Sequence, residues 1–193
     1  MAKKEILVIV AHPDDETIWM GGTLLKTKFN KTIITLCRKD DKDRFPRYDK
    51  ACKILNSKSY MSDLDDSEHG YYKEISSQEI ILRILSIIKD KKYDYLYTHG
   101  KNGEYGHIRH IEIHNAVNEM LKQKLISPKK VFFFSYVKTD KNSDINSNAD
   151  KLIKLEKPYF EMKKHLIKDI YGFQEGSFEY ESAREVEAFN IKK

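Results

Sequence analysis

A histidine and three acidic residues stand together in the segment AHPDDE, residues 11–16, directly after the apolar run VIV. Carboxylates this close repel one another and raise one another's pKa, so the cluster indicates a bound cation, a proton relay or a solvated turn. A purely structural alternative is that Asp14 or Asp15 caps a helix that starts near Thr17. The residue types alone leave these alternatives open.

A second cluster lies in GKNGEYGHIRHIEIH, residues 100–114. Its three glycines predict a loop that bends close to a ligand. The histidines that follow, His107, His110 and His114, are spaced by three and four residues and therefore share one face of a helix. His114 lies on the apolar side of that helix, which predicts a hydrogen-bonded core histidine rather than a metal ligand.

Two imidazoles and one carboxylate drawn from two loops form the pattern of a catalytic zinc site, which keeps a fourth position for water. A structural zinc site would instead be closed by cysteines. Bound zinc lowers the pKa of its water to about 7, and an adjacent carboxylate can take the proton. The doublet Asp14 and Asp15 can supply one ligand and one base, and a nearby histidine or tyrosine can stabilise an oxyanion.

Short β-branched runs alternate with helical periods along the chain. Strands are predicted at 5–10, 31–37, 58–62, 93–99 and 129–137, and helices at 17–28, 44–56, 76–91 and 107–125. This alternation predicts an α/β fold, a Rossmann-like three-layer sandwich with a mostly parallel sheet. We expect a single domain over residues 1–193. Residues 138–151 are predicted to be a mobile loop, and residues 158–174 and 182–190 are predicted to be helical.

The predicted sheet explains how the two clusters meet. Ligands of open parallel sheets bind at the carboxyl ends of the strands, and AHPDDE directly follows the first strand. With the common strand order 3-2-1-4-5, the fourth strand lies beside the first, and the histidine cluster follows that fourth strand. The sequence therefore predicts one site built from both clusters.

Charge and the lengths of the apolar runs argue against nucleic-acid-binding, secreted and membrane-spanning proteins. The formal charge of +5 comes from scattered lysines without a basic block interleaved with aromatics, so no nucleic-acid partner is expected. The N-terminal apolar run is too short for a signal peptide, and no stretch is long enough for a membrane span, which predicts a cytoplasmic protein. Cys37 and Cys52 are predicted to be reduced, buried thiols. Tyr71 and Tyr72 are expected to pack rather than to stack on a sugar.

AHPDDE, together with HGKNGEYGHIRH at 99–110, resembles the two signature segments of the PIG-L or LmbE-like zinc deacetylases, which hydrolyse N-acetyl groups of N-acetylglucosamine conjugates. The resemblance covers most of the chain, thinly after residue 137. It implies a Zn²⁺ cofactor with three protein ligands, which are His12, Asp15 and His110. It also implies that Asp14 is the general base.

The resemblance further implies that His107 stabilises the oxyanion and assists the leaving amine, and that Tyr105 polarises the amide carbonyl. Arg44, in a segment similar to the family's second helix, matches its substrate-contacting arginine. Two positions depart from the pattern. Arg109 replaces an acidic residue that would charge His107, and Arg47 replaces a glutamate one turn after Arg44. The first change predicts less imidazolium at His107, and the second predicts altered sugar recognition or an added anion contact.

The sequence thus predicts an enzyme, a zinc-dependent N-deacetylase acting on an N-acetylated amino sugar or a related small molecule. One alternative is a divalent-metal phosphohydrolase, although magnesium prefers all-oxygen ligands to imidazoles. Another is a non-catalytic sugar- or metal-binding module, which would not need a base at Asp14. The sequence is also compatible with a homo-oligomer.

Overall fold

The computed structural model describes residues 3–66, 73–89 and 92–192. Tyr71 and Tyr72 lie outside these ranges. The strands are β1 (Glu5–Val10), β2 (Asn30–Cys37), β3 (Lys58–Leu64), β4 (Lys92–Thr98), β5 (Ser127–Phe134), β6 (Tyr136–Lys138), β7 (Ser143–Ile145), β8 (Lys151–Lys154) and β9 (Val186–Ile191). The helices are α1 (Asp15–Lys26), α2 (Arg44–Ile54), α3 (Ser77–Ile87), α4 (Gly103–Gly106), α5 (Ile108–Lys122), α6 (Lys157–His165) and α7 (Phe178–Ser182), with a π-helix at Leu166–Ile170.

Seven of the described strands form one sheet in the order β3-β2-β1-β4-β5-β9-β8. The first five pair in parallel, and β9 pairs antiparallel with both β5 and β8. The α/β, Rossmann-like, mostly parallel fold is confirmed, and so is the strand order 3-2-1-4-5. The carboxyl ends of β1 and β4 therefore lie side by side, as the site prediction requires.

Strand β1 explains why its sequence is apolar at every position. Ile6, Val8 and Val10 belong to a core formed with α1, α2 and the π-helix. Leu7 and Ile9 belong to a second core, formed with α3 and α5 on the opposite face. A strand covered on both faces needs a continuous apolar run rather than alternation. Burial on both faces fixes the end of β1, from which the AHPDDE segment emerges.

Helix α1 is interrupted at Met20, whose φ of −149° is not helical. The interruption leaves backbone N–H groups without helical partners, and the carboxylate of Glu187 accepts from the amides of Gly22 (2.8 Å) and Thr23 (2.9 Å). Lys163 pairs with Glu187 at 2.9 Å, and both side chains are fully buried. This ion pair connects α6 and β9 to the helix that carries Asp15.

One prediction near the C-terminus was wrong, and another was wrong in part. Residues 182–190 were expected to be helical, but most of them form β9, because pairing with β5 and β8 overrides the local helical pattern. Residues 138–151 were expected to be a loop, but β7 pairs with β6 in a hairpin. The helix prediction for 158–174 is confirmed for α6 and the π-helix.

Across the described ranges, no helix combines the length and apolar character that crossing a bilayer requires. Cys37 and Cys52 are both buried free thiols, as predicted.

Candidate metal-dependent active site

A cavity of about 240 Å³ opens at the carboxyl edge of the sheet. Each of the strands β1 to β4 is followed by a residue that lines it: His12, Arg38, Asp66 and Tyr105, respectively. The four side chains are far apart in sequence and converge because parallel strands end at the same edge. The cavity therefore lies where the sequence predicted a site.

Three donor atoms from the two motifs converge beside this cavity. Nδ1 of His12 lies 3.1 Å from Nε2 of His110, and each of these nitrogens approaches Oδ2 of Asp15, at 3.3 Å and 3.4 Å. Ligand atoms bound tetrahedrally to zinc at 2.0–2.2 Å stand about 3.3–3.5 Å from one another. The donor set is thus suited to zinc in both chemistry and spacing.

His110 is oriented by a carboxylate that the sequence analysis missed. Oε2 of Glu104 accepts a hydrogen bond from Nδ1 of His110 at 2.6 Å, and both side chains are fully buried. Burial alone would raise the pKa of Glu104, but His99 and His110 outweigh it and lower that pKa to about 2. An ionised carboxylate on Nδ1 leaves Nε2 of His110 available as a metal ligand.

Glu104 adopts an unusual backbone conformation, and its carboxylate is held by more than one contact. Its φ of 59° is unusual for a residue with a side chain. A second contact, from the amide of Gly100 to Oε1 at 2.7 Å, helps to hold it there. A Cβ atom at Gly100 would lie 2.3 Å from the carbonyl oxygen of Phe134, so this close approach requires glycine.

His12 is oriented in the same way by Asp66, whose Oδ1 lies 3.0 Å from Nε2. Burial lowers the pKa of His12, but hydrogen bonds to Asp15 and Asp66 outweigh it and raise that pKa to about 10. In the metal-free protein the His12 ring is therefore charged, and its Nδ1 proton lies beside Nε2 of His110 and Oδ2 of Asp15. A metal ion that binds these nitrogens must replace that proton.

His99 lies close to the donor atoms but is held in another role. Its Nε2 accepts the backbone N–H of Ala11 at 2.9 Å, and its Nδ1 contacts Glu104 at 2.7 Å. Both ring nitrogens are thus occupied by protein partners, which leaves no lone pair for a metal. His99 instead connects the end of β4 to the start of the first motif. In the sequence His99 both ends a predicted strand and opens the second motif, but nothing there predicts its contacts.

Asp15 is fixed through both of its oxygens. Oδ2 accepts the backbone N–H of His12 at 2.7 Å, and Oδ1 accepts the indole N–H of Trp19 at 2.9 Å. Trp19 packs in the core, and it also borders the cavity and orients a carboxylate. A tryptophan one turn after an aspartate was the available signal.

Asp14 precedes α1 with a φ of 136°, a strained conformation for a non-glycine residue. Among the described residues its side chain makes no helix-cap hydrogen bond, so the capping alternative fails for Asp14. Its Oδ2 instead accepts from Arg44 at 3.1 Å. Burial and the adjacent Asp15 raise the pKa of Asp14 well above its usual value, although Arg44 opposes them. The result is a basic carboxylate on the cavity wall.

Arg44 lies at the start of α2, and its guanidinium stacks on the ring of Phe173 at 4.7 Å. The predicted substrate residue therefore faces the cavity. Arg47 does not: its guanidinium donates to Asp43 at 2.9 Å and to the carbonyl of Tyr171 at 3.0 Å. Arg47 holds the π-helix against α2, so the expected change in sugar recognition at Arg47 has no contact to support it.

His107 and Tyr105 both line the cavity. Nδ1 of His107 accepts the backbone N–H of Arg109 at 3.3 Å, so the neutral ring carries its proton on Nε2. Burial, together with His110 and His12, lowers the pKa of His107 to about 3. The predicted loss of imidazolium is in the right direction, but its expected cause was wrong, because the guanidinium of Arg109 turns to Glu112 at 2.6 Å.

The cavity is completed by residues far from either motif. Phe178 and Glu179 of α7 form part of its wall, and Phe178 packs against Tyr105 at a centroid distance of 4.6 Å. Tyr171 donates to Glu16 at 2.6 Å and so connects the π-helix to the first motif. These residues were missed because no local pattern relates them to the motifs.

His114 forms a hydrogen bond to the carbonyl of His99 at 2.9 Å, as its predicted core role requires.

Two comparisons relate the sequence of this chain to known proteins. Residues 7–121 match a family model described as PIG-L: GlcNAc-PI de-N-acetylase. The matched range includes both motifs and ends within α5, before the residues of α7 that complete the cavity. An uncharacterized protein, L374, of Acanthamoeba polyphaga mimivirus is 25% identical over an alignment of 181 positions, which covers 82% of this chain and 78% of that protein.

Proposed function

The chain belongs to the PIG-L family of GlcNAc-PI de-N-acetylases, and we propose that it is a zinc-dependent hydrolase that removes an N-acetyl group from an N-acetylglucosamine-type conjugate or a related small molecule. The single observation that carries the proposal is the convergence of His12, Asp15 and His110 within 3.1–3.4 Å of one another beside a cavity. A family of deacetylases and a zinc-type donor set point to the same reaction.

His12, Asp15 and His110 would hold the zinc. When bound, the ion supplies Lewis acidity and lowers the pKa of water in the cavity to about 7. The alternative of a magnesium-dependent phosphohydrolase has less support, because two of the three donor atoms are imidazole nitrogens. The non-catalytic alternative does not account for Asp14, a strained and basic carboxylate on the cavity wall.

Asp14 acts as the general base and takes a proton from the attacking water. Its raised pKa makes it a stronger proton acceptor than an ordinary aspartate. Arg44, at 3.1 Å, keeps the carboxylate directed into the cavity. The proton that Asp14 collects is then available for the leaving amine, which must be protonated before the C–N bond breaks.

Tyr105 and His107 act on the carbonyl oxygen. The phenol hydroxyl of Tyr105 stays protonated because burial raises its pKa above the usual value, so it can donate a hydrogen bond. His107 donates as a neutral imidazole from Nε2, since its Nδ1 accepts from Arg109. This differs from the role that the resemblance implied, because a ring with a pKa of about 3 does not supply a proton to the amine at neutral pH.

The walls of the cavity suit a small sugar conjugate. Aromatic rings of Tyr105 and Phe178 offer apolar faces, and Arg38 and Arg44 offer donors for hydroxyl or anionic groups. A sugar presents both kinds of surface, with C–H faces and hydroxyl edges. We therefore assign the substrate to the N-acetylated amino sugars.

A screen of N-acetylated amino-sugar conjugates, with release of primary amine as the readout, tests the proposal. We expect turnover of at least one conjugate by the zinc-loaded protein and loss of most of it in Asp14→Asn. Phosphate esters assayed in parallel test the phosphohydrolase alternative. Release of phosphate without release of amine would show that the proposed reaction is wrong.

A further inference from the structure

Arg109 is a fully buried cation that the proposed reaction does not use. Its guanidinium donates to Glu112 at 2.6 Å, to the carbonyl oxygen of Asp65 at 2.6 Å and to the carbonyl oxygen of Lys73 at 3.0 Å. Burying a charge is costly unless it is paired and hydrogen-bonded, and here three groups share that task. These contacts pair the buried guanidinium and hold the backbone at Asp65 and Lys73.

Arg109 binds the carbonyl oxygen of Asp65, which is adjacent in the chain to a residue that contacts the candidate metal site. Asp66 follows Asp65, and its carboxylate contacts Nε2 of His12 at 3.0 Å, while its second oxygen accepts from Arg38 at 2.8 Å. Position and direction of the Asp66 carboxylate depend on the backbone at Asp65. A displacement there would change the hydrogen bond that orients His12.

The position of Arg109 on α5 adds a second consequence. The next residue along the helix is His110, so one helical turn carries both a donor of the candidate site and the side chain that holds Asp65. The guanidinium thereby joins the end of β3 to α5. Its fork geometry matters, because a lysine ammonium is a compact point charge and cannot present the same planar set of donors to three acceptors.

We propose that Arg109, held by Glu112, is a positioning residue of the metal site. It fixes the peptide at Asp65, and through the Asp66 carboxylate it sets the orientation of His12 relative to His110. This inference rests on the metal site of the proposed function. It assigns a role to a buried arginine that the proposed reaction does not use.

A double-mutant cycle tests the coupling. Arg109→Met with Glu112→Gln removes both buried charges together and keeps an acceptor for the amide of Ile75, which Glu112 binds at 2.9 Å. The zinc Kd, measured by competition with a chromophoric chelator, should rise about tenfold, the lower end of the range for residues that orient metal ligands. In an Asp66→Asn background, the same pair of changes should alter Kd less than about twofold.

Arg83→Met is the matched control. Arg83 also joins a helix to the end of β3, through Ser62 and Asp63, but it does not contact Asp65 or Asp66. Its loss should leave the zinc Kd unchanged. Thermal unfolding of the metal-free variants measures stability separately, and the visible absorption of the Co²⁺-substituted proteins reports the ligand geometry. The variants at Arg109 should alter the Co²⁺ spectrum, and Arg83→Met should not.

Arg109→Lys provides a second test that does not depend on folding of the paired variant. It keeps the charge and should still raise the zinc Kd, again only when Asp66 is present. An unchanged Kd, or an equal rise in both backgrounds, would overturn the inference. If the wild type binds zinc and shows the coupling but hydrolyses no amide, the proposed reaction fails and the positioning role stands. If the wild type binds no zinc, both fail.

Discussion

The carboxylate of Glu104 accepts a hydrogen bond from Nδ1 of His110 over 2.6 Å, with both side chains fully buried. A neutral imidazole has one proton, and this contact holds it on Nδ1. Nε2 is therefore available as a donor and faces His12 and Asp15. The direction of one buried hydrogen bond decides which nitrogen can bind a metal.

Replacing Glu104 by glutamine should weaken metal binding without removing a ligand. The amide keeps a similar shape but loses the charge that makes His110 a stronger donor, so the zinc Kd should rise about 10- to 100-fold. Competition with a chromophoric chelator measures the change. Glu119→Gln, in the helix that carries His110 and bonded to Gln123, is the control and should leave Kd as it is. An unchanged Kd in Glu104→Gln would mean that His110 is not a ligand.

The two neighbouring aspartates should separate binding from chemistry. Asp14→Asn should keep the metal and lower kcat by about 100- to 10,000-fold, because an amide cannot accept the proton of water. Asp15→Asn should lose metal affinity, because Oδ2 of Asp15 is the oxygen that meets both imidazoles. Metal content after gel filtration and kcat on the same samples distinguish the two. The reverse pattern would show that the roles are exchanged.

Metal binding should release a proton. The pKa of His12 is raised to about 10 in the metal-free protein, so below that pH the ring is charged and zinc must displace its Nδ1 proton. The apparent affinity should consequently rise with pH, by about tenfold per pH unit near neutrality. Calorimetric titration in two buffers with different ionisation enthalpies counts the protons. An affinity independent of pH, with no proton released, would exclude His12 as a ligand.

Removing one partner of the buried ion pair between Lys163 and Glu187 should destabilise the fold strongly. Lys163→Met leaves the buried carboxylate of Glu187 without its counter-charge, and it should reduce the free energy of unfolding by about 3–5 kcal/mol. Lys53→Met, which removes an exposed pair with Asp49, should cost about 1 kcal/mol or less. Urea unfolding compares them. Equal losses would contradict the role given to burial.

The sequence was sufficient to predict the parallel part of the fold and the edge of the sheet where the two motifs meet. The continuous apolar run of β1 indicates a strand covered on both faces, and parallel order then brings His12 and His110 to one edge. The C-terminal part was predicted less well. Val186–Ile191 forms a strand because two neighbouring strands supply its hydrogen bonds, and such pairing leaves no local signal in the sequence.

The residues that orient the candidate metal ligands or complete the cavity wall could not be predicted from the sequence either. Glu104 lies in the second motif, but nothing in the pattern shows that its side chain turns inward to His110. Asp66 stands between motifs, and only the packing of β3 beside β2 brings it to His12. Phe178 reaches the cavity from a helix that no motif predicts. Roles of this kind depend on tertiary contacts rather than on spacing.

The most direct test asks whether the reaction depends on the metal site. The metal-free protein is titrated with zinc while amine release from an N-acetylated amino-sugar conjugate is recorded. We expect no turnover before zinc is added, a linear rise in rate with added zinc and a break at about one equivalent per chain, as one three-ligand site predicts. The break should disappear in His110→Ala, which lacks one of the three donors. Full turnover in the metal-free protein, or a rate that ignores added zinc, would contradict a metal-dependent deacetylase.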